Sequence, residues 1–249
     1  MTRALVVIPA RMAATRLPDK PLADIHGRPM IVHVLDQARA ADIGPVLVAC
    51  DDARIKAAVE AAGGEAVLTP PELASGSDRV HAAATAFDAD GRFDVVLNLQ
   101  GDVPLIEPEA LRAAFAPLAD PAVDIGTIAT EIRDPALRSD HGAVKAVGTQ
   151  VGEDRLRALY FTRATAPHGP GPLYQHIGIY AYRRAALARF VSLPPSPLEL
   201  REKLEQLRAL EAGMRIDVSL VDSTPMDVNT PADLAAVRAV LAARHPTSC

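Results

Sequence analysis

Continuous apolar runs alternate with helical periodicity along the first half of this chain. Residues 5–8 (LVVI) are apolar at every position and stop at Pro9. A run with no polar face reads as a strand of a parallel sheet, covered on both sides. Residues 30–41 follow, with Ile31, Val34, Leu35 and Ala38 on one helical face. The alternation then repeats. It predicts a strand at 46–49, a helix at 51–62 closed by Gly63-Gly64, a short strand at 66–68 and a helix at 77–87. A strand at 95–99 and a helix at 107–115 complete the series. This β-α-β-α rhythm places a parallel sheet between two layers of helices.

The rhythm changes after about residue 120. Residues 124–132, 143–149 and 174–182 read as longer, alternating strands, separated by turn-rich stretches such as HGPGP at 168–172. A helix at 198–210, a strand at 216–221 and a closing helix at 231–243 follow. Thr230-Pro231 supplies an N-cap and first-turn pair for the last helix. No repeat or linker interrupts the pattern. The expectation is one α/β domain over residues 1–249: a mostly parallel central sheet flanked by helices, with a mixed-sheet excursion.

Composition narrows the function classes. Hydrophobic residues make up 49% of 249 residues, enough for a packed core. The net charge is −5, from 26 basic and 31 acidic residues, which argues against general nucleic-acid binding. Cys50 and Cys249 have neither disulfide-framework nor zinc-ligand spacing, so a reducing, cytoplasmic setting is expected. No secretory leader is expected, and no apolar stretch reaches the roughly 18 residues of a membrane span.

The candidate chemistry lies on three predicted strand tips, 9–20, 100–104 and 222–229. Ligands of open parallel sheets bind at that edge. The first tip is PARMAATRLPDK, which is neither GxxxxGK[ST] nor GxGxxG. Small residues at Ala10, Ala13 and Ala14 let backbone N–H groups approach a phosphate, while Arg11 and Lys20 neutralise its charge. Arg16 adds a third cation. At the second tip, NLQGDVP, Asp102 is a metal-ligand candidate, because a carboxylate beside a buried strand needs a partner. Gln100 offers donor and acceptor to a hydroxyl-rich ligand. At the third tip, PMDVNTPADL, Asp227 and Asn229 are two residues apart and point the same way in an extended segment.

Three further stretches carry candidates. In SGSDRV (75–80), either Ser75 or Ser77 caps a helix with Gly76 allowing a tight turn, or Gly76 instead admits a base or ribose against the backbone, with Arg79 near a phosphate. In YFTRATAPH and QHIGIYAYR, Arg163 suits a substrate carboxylate, and His176, Gly178 and Tyr180 alternate onto one strand face. In PLELREKLEQLRAL, Glu199, Glu202 and Glu205 with Lys203 and Arg208 read as a solvated helix face with i,i+4 pairs.

Taken in order, IPARMAATRLPDKPL, GRPMIVHV, ASGSDRV, NLQGDVPLI, ALYFTRA, HIGIYAYR, SPLELREKLEQLRAL and NTPADL resemble the 3-deoxy-manno-octulosonate cytidylyltransferase (CMP-Kdo synthetase) family, from Val6 to about Leu241. The resemblance implies a nucleotide-diphospho-sugar transferase fold, Rossmann-like in character. It implies a Mg²⁺-dependent reaction of CTP with 3-deoxy-D-manno-octulosonate (Kdo), giving CMP-Kdo and pyrophosphate for lipopolysaccharide synthesis. It also implies a homodimer, with residues 1–120 mainly binding CTP and 121–249 mainly binding sugar and dimerising.

By resemblance Arg11, Arg16 and Lys20 form the triphosphate loop, with Ala10, Ala14, Ser75, Gly76, Arg79 and Gln100 also on the nucleotide side. Gln100, Arg163, His176, Tyr180, Glu205 and Gln206 resemble the sugar-site residues. Arg11, Lys20 and Asp102 would carry catalysis, and Asp102 would bind metal. Two departures matter. The family's QGDEP is QGDVP here, with Val103, and its VDTPEDL is VNTPADL, with Asn229 in the second metal-ligand position. Either Asn229 supplies an amide oxygen or Asp227 supplies the carboxylate. The alternatives are a cytidylyltransferase for another ulosonic acid, such as 8-amino-Kdo or a sialic-like acid, and a nucleotide-binding relative without catalysis.

Overall fold

The computed structural model describes residues 3–13, 16–223 and 225–244. Ala14 and Cys249 therefore lie outside the described residues. Four parallel strands form the first half of the sheet: β1 (Ala4–Ala10), β4 (Val46–Cys50), β5 (Glu65–Leu68) and β6 (Val95–Asn98). A two-residue hairpin, β2 (Asp24–Ile25) and β3 (Arg28–Pro29), stands apart from them. Helices α1 (Met30–Ala40), α2 (Ala53–Ala61), α3 (Gly76–Phe87) and α4 (Pro108–Phe115) make the crossovers.

The LVVI run is apolar throughout because each face has its own core. Val6 and Ile8 pack with Ile31 and Leu35 of α1 and Leu111 of α4. Leu5 and Val7 point the other way, to Val80 and Ala83 of α3.

The second half is mixed, as expected. It comprises β7 (Ile125–Glu131), α5 (Pro135–Ser139), β8 (Lys145–Gly152), β9 (Arg155–Thr162), β10 (Tyr174–Arg183) and α6 (Arg184–Ser192). After these come α7 (Pro197–Glu202), α8 (Leu207–Glu211), β11 (Ile216–Leu220) and α9 (Pro231–Arg244). The nine strands run in the order β5-β4-β1-β6-β10-β7-β11-β9-β8. β10 is inserted antiparallel between β6 and β7. β8 also pairs with the start of β10, Tyr174 opposite Ala146, so this part of the sheet curls back on itself.

Three local expectations are corrected. The helix expected at 51–62 begins at Ala53, because Asp52 is its N-cap and accepts from Arg54 N at 2.7 Å. The helix expected at 198–210 is two short helices, broken at Lys203 with φ 58°. Its charges do not form a solvated face. Glu199 pairs with Arg208, Nε to Oε2 2.8 Å, in a nearly buried bridge, and Glu202 accepts from Thr162 Oγ1 at 2.7 Å and Arg163 N at 3.0 Å. Tertiary partners have taken the carboxylates that i,i+4 neighbours would have shared. Finally, β9 and α6 are additional elements. In β9 the alternation is broken by a register shift opposite Gly148.

Candidate active site

A cleft of about 450 Å³ opens over the carboxyl ends of β1 and β6. One wall is the chain after β1, with Ala10, Arg11, Ala13, Arg16 and Lys20; Arg11 and Arg16 are exposed to solvent. The opposite wall is the start of α3, with Ser75, Gly76 and Arg79, and the floor carries Gln100, Gly101, Asp102 and Asn229. The three tips singled out in the sequence thus meet in one place.

Each wall has a local cause. Ser75 caps α3, its hydroxyl accepting from Asp78 N at 3.2 Å, so the positive end of that helix faces the cleft. Gly101 is required by close packing: a Cβ there would stand 2.8 Å from the Pro9 carbonyl oxygen. That contact seats the Gln100–Asp102 turn directly on the end of β1. A Cβ at Gly76 would meet only Pro9 Cγ at 3.7 Å, an ordinary contact, so protein packing does not demand glycine there.

Lys20 stands at the centre. It begins a single 3₁₀ turn, Lys20–Leu22, entered through left-handed Asp19 (φ 52°). Its Nζ donates to Asp102 Oδ2 at 2.7 Å and to Asn229 Oδ1 at 3.3 Å. Asn229 is aimed by its neighbours. Val228 is buried beside Ile25, Met30 and Val237, and its N–H donates to the Asp102 carbonyl at 2.9 Å. Asp233 accepts from the N–H groups of Asn229 and Thr230 at 2.9 and 2.8 Å, while Thr230 Oγ1 accepts from Asp233 N.

Asn229, and not Asp227, forms the cleft floor among the described residues. Asp227 keeps contact with solvent. The protein crowded around its carboxyl nevertheless pushes it up to about 6, helped by the charges of Asp102 and Asp233 and opposed by Lys20. Among the described residues no three His, Cys, Asp or Glu side chains cluster as a metal cage. The protein donors converging at Lys20 are two oxygens, a carboxylate and an amide. Such a sparse all-oxygen set suits Mg²⁺, which keeps several waters and shares its shell with substrate phosphates.

Arg79 lines the cleft with its guanidinium turned to protein partners. Its guanidinium is buried, donates to Thr69 Oγ1 and lies 3.8 Å from Asp51 Oδ2. Gln100 is half-buried and donates to Asn98 Oδ1 at 3.3 Å.

Among the described residues, the sugar-side candidates Arg163, His176, Tyr180, Glu205 and Gln206 do not line this cleft. His176 and Tyr180 share a face of β10, with ring centroids 5.4 Å apart, and Phe161 packs edge-on against His176. Thr127 Oγ1 lies 3.0 Å from His176 Nε2 and 2.7 Å from the Ile179 carbonyl. Directing the one hydroxyl hydrogen to a carbonyl leaves Thr127 Oγ1 to accept from His176, which assigns the imidazole proton to Nε2. Burial pushes His176 down to about 3, which keeps it neutral.

Arg163 is held by backbone carbonyls, Nε to Glu202 at 2.9 Å and Nη1 to His141 at 3.1 Å. Glu205 accepts from Ser77 Oγ at 2.7 Å, which ties it to the helix start that forms the cleft wall. Gln206 is buried, and its Nε2 meets no acceptor among the described residues. Two polar residues beside the site, Asp51 and Thr69, were not singled out by the sequence pattern. The paired acids Asp51-Asp52 at a strand tip were the available signal.

The sequence profile described as cytidylyltransferase matches residues 5–216. A 3-deoxy-manno-octulosonate cytidylyltransferase from Rhodospirillum centenum is 65% identical, covering 95% of this chain and 93% of the relative. One from Rhodopseudomonas palustris is 62% identical over 97% and 98%. This chain belongs to the 3-deoxy-manno-octulosonate cytidylyltransferase family. As a cytidylyltransferase it is a nucleotidyl-transferring enzyme. A solved structure of CMP:2-keto-3-deoxy-manno-octonic acid synthetase complexed with CTP matches it with TM-score 0.90 at 38% identity. The match covers 98% of this chain and 100% of that one. The expected nucleotide-sugar transferase fold is therefore the fold found. A cytidylyltransferase from Leptospira borgpetersenii, at TM-score 0.63 and 13% identity, is alike in fold alone. No helix among the described residues is long and apolar enough to cross a membrane.

Proposed function

We propose that the cleft binds CTP and that the chain transfers CMP from CTP to Kdo, giving CMP-Kdo and pyrophosphate. The observation that carries this reading is the convergence of Lys20 on Asp102 and Asn229, beneath a loop bearing Arg11 and Arg16. A lysine ammonium pinned between two oxygens is poised to exchange one of them for a phosphate oxygen. The relatives supply the identity of the nucleotide and the sugar acid.

The reaction is an in-line displacement. The anomeric hydroxyl of Kdo attacks the α-phosphorus, and the bond to the pyrophosphate oxygen breaks. No side chain acts as a nucleophile. The protein positions the reactants and stabilises growing charge. Arg11 and Lys20 neutralise the triphosphate, and the N-terminus of α3 adds partial positive charge from the opposite wall. Mg²⁺, held by Asp102 and Asn229, would neutralise phosphate-oxygen charge and orient the leaving pyrophosphate. The sugar acid would lie toward Tyr180, His176 and Glu205, which Ser77 links to the cleft wall.

A homodimer and a role in lipopolysaccharide synthesis belong to the same proposal. Leu159 and Leu200 are exposed apolar side chains in the later half, where the resemblance implies the dimer contact. Sedimentation of the purified chain decides it, a monomer at micromolar concentration being the contrary result.

The deciding experiment is pyrophosphate release from CTP with Mg²⁺ and a panel of ulosonic acids. Release with Kdo is expected. Release only with an 8-amino or sialic-like acid would reassign the acceptor. Thermal stabilisation by CTP without turnover on any acid would make the chain a non-catalytic binder.

A further inference from the structure

The loop that carries Arg11 has no glycine, and its described part has little regular structure. Something else must hold its backbone. Asp51 Oδ1 accepts from Met12 N at 3.0 Å, across 39 residues of sequence. Asp51 stands directly after β4, freed from the helix because Asp52 takes the N-cap of α2. Its other oxygen faces Arg79 Nη2 at 3.8 Å. Both side chains are nearly out of water, at 10% and 4% exposure.

Arg79 is anchored in turn. It donates to Thr69 Oγ1, whose hydroxyl donates to the Cys50 carbonyl at 3.1 Å. The Thr69 N–H reaches the same carbonyl at 2.8 Å. A continuous polar chain therefore runs from the tips of β4 and β5, through α3, to the backbone between Arg11 and Ala13.

We infer that Asp51 is a positioning residue for the phosphate-side loop, and that Arg79 serves it as counter-ion. A bare carboxylate beside a triphosphate would repel it. The buried guanidinium cancels that charge while leaving one carboxylate oxygen to fix Met12. With Met12 N–H pinned, Arg11 leaves the sheet in a set direction instead of sampling several. The inference rests on the reading of the cleft as a CTP site, but the latch itself can be observed without nucleotide.

Two measurements test it. Amide hydrogen exchange of the ligand-free wild type should show Met12 N–H protected, although its neighbours Arg11 and Ala13 are exposed. Exchange of Met12 at the rate of an open peptide would overturn the latch. Steady-state kinetics should then show Asp51→Ala raising KM for CTP about tenfold, the scale of one lost hydrogen bond to a charged group. KM for the sugar acid should stay within about twofold, and Asp51→Asn, which keeps the acceptor, should lie between Ala and wild type. An unchanged KM for CTP in Asp51→Ala, or an equal rise for both substrates, would overturn the assignment. If Asp51→Ala does not fold, Met12 exchange and Asp51→Asn carry the test. Absence of CTP turnover in the wild type would instead refute the reading of the cleft, with Met12 exchange still deciding the latch.

Discussion

Lys20 and Asn229 are 209 residues apart in sequence, and their side chains meet at 3.3 Å above Asp102. The lysine is shared between an acidic and a neutral oxygen, so its hold on the floor of the cleft is asymmetric. The 2.7 Å contact to Asp102 is charge-assisted and the longer one to the amide is weaker.

Lys20→Ala removes the charge nearest the floor of the cleft. Turnover should fall by about 100- to 1,000-fold, the range for losing one preorganised electrostatic contact to a transition state. Pyrophosphate release at saturating substrates measures it. Near-wild-type turnover would remove Lys20 from the mechanism.

Asn229→Asp places a second carboxylate beside Asp102. One added negative charge near a bound divalent cation is worth at least about 2 kcal/mol at ~4 Å, twice the value for two unit charges in water, so the Mg²⁺ midpoint should fall about tenfold or more. Titrating activity against Mg²⁺, and calorimetry with Mg²⁺ alone, both read this. An unchanged midpoint in both would place the cation elsewhere.

Gly101→Ala should destabilise the fold by about 1–3 kcal/mol, the usual cost of overpacking a rigid contact. The new methyl would collide with the Pro9 carbonyl oxygen at 2.8 Å, and backbone cannot yield as a flexible side chain does. Urea unfolding gives the number. CTP affinity should fall with it, because the displaced turn carries Asp102. Wild-type stability and affinity in this variant would refute the close-packing role.

His176 makes stability depend on acidity. Its folded value is pushed down by burial, from 6.5 to about 3. Between those values the unfolded chain binds a proton that the native state refuses, so stability rises with pH from about 3 to 6.5 and is lost as pH falls through that window. Asp88 adds to the acid loss. Burial alone would raise its carboxyl, but hydrogen bonds from Phe93 and Arg92 N–H and from the Arg92 and Arg184 side chains hold it well below the ordinary range. Its stabilisation is present above the unfolded value of 3.8 and is lost at lower pH. Unfolding midpoints of His176→Gln should therefore vary less with pH than those of the wild type between 4 and 6.5. Identical profiles would show that His176 titrates normally.

Much of this was legible from local pattern. The two-sided apolar run of β1, the helical face of α1 and a serine cap at 75 or 77 are consequences of neighbours within one element. So too was the grouping of polar residues on strand tips, because connectivity alone sends every parallel strand to the same edge of the sheet. The charged helix at 198–210 was misread because Glu199, Glu202 and Glu205 look like a solvated stripe until Arg208, Thr162, Arg163 and Ser77 are brought to them. The protein partners of Arg79 were hidden for the same reason, since nothing near it in sequence announces Asp51.

By itself the sequence determined the alternation of strands and helices, the family, and the kinds of side chain available for phosphate and cation. Only the tertiary structure decided which of them meet. It brought Asn229, not Asp227, to the cleft floor: the N–H groups of Asn229 and Thr230 are held by Asp233, and the amide oxygen meets Lys20. It turned Arg79 inward to Asp51 and set His176 against Thr127. Those pairings join residues 28 to 209 positions apart. They are settled by packing and desolvation across the whole sheet, which no short window of sequence contains.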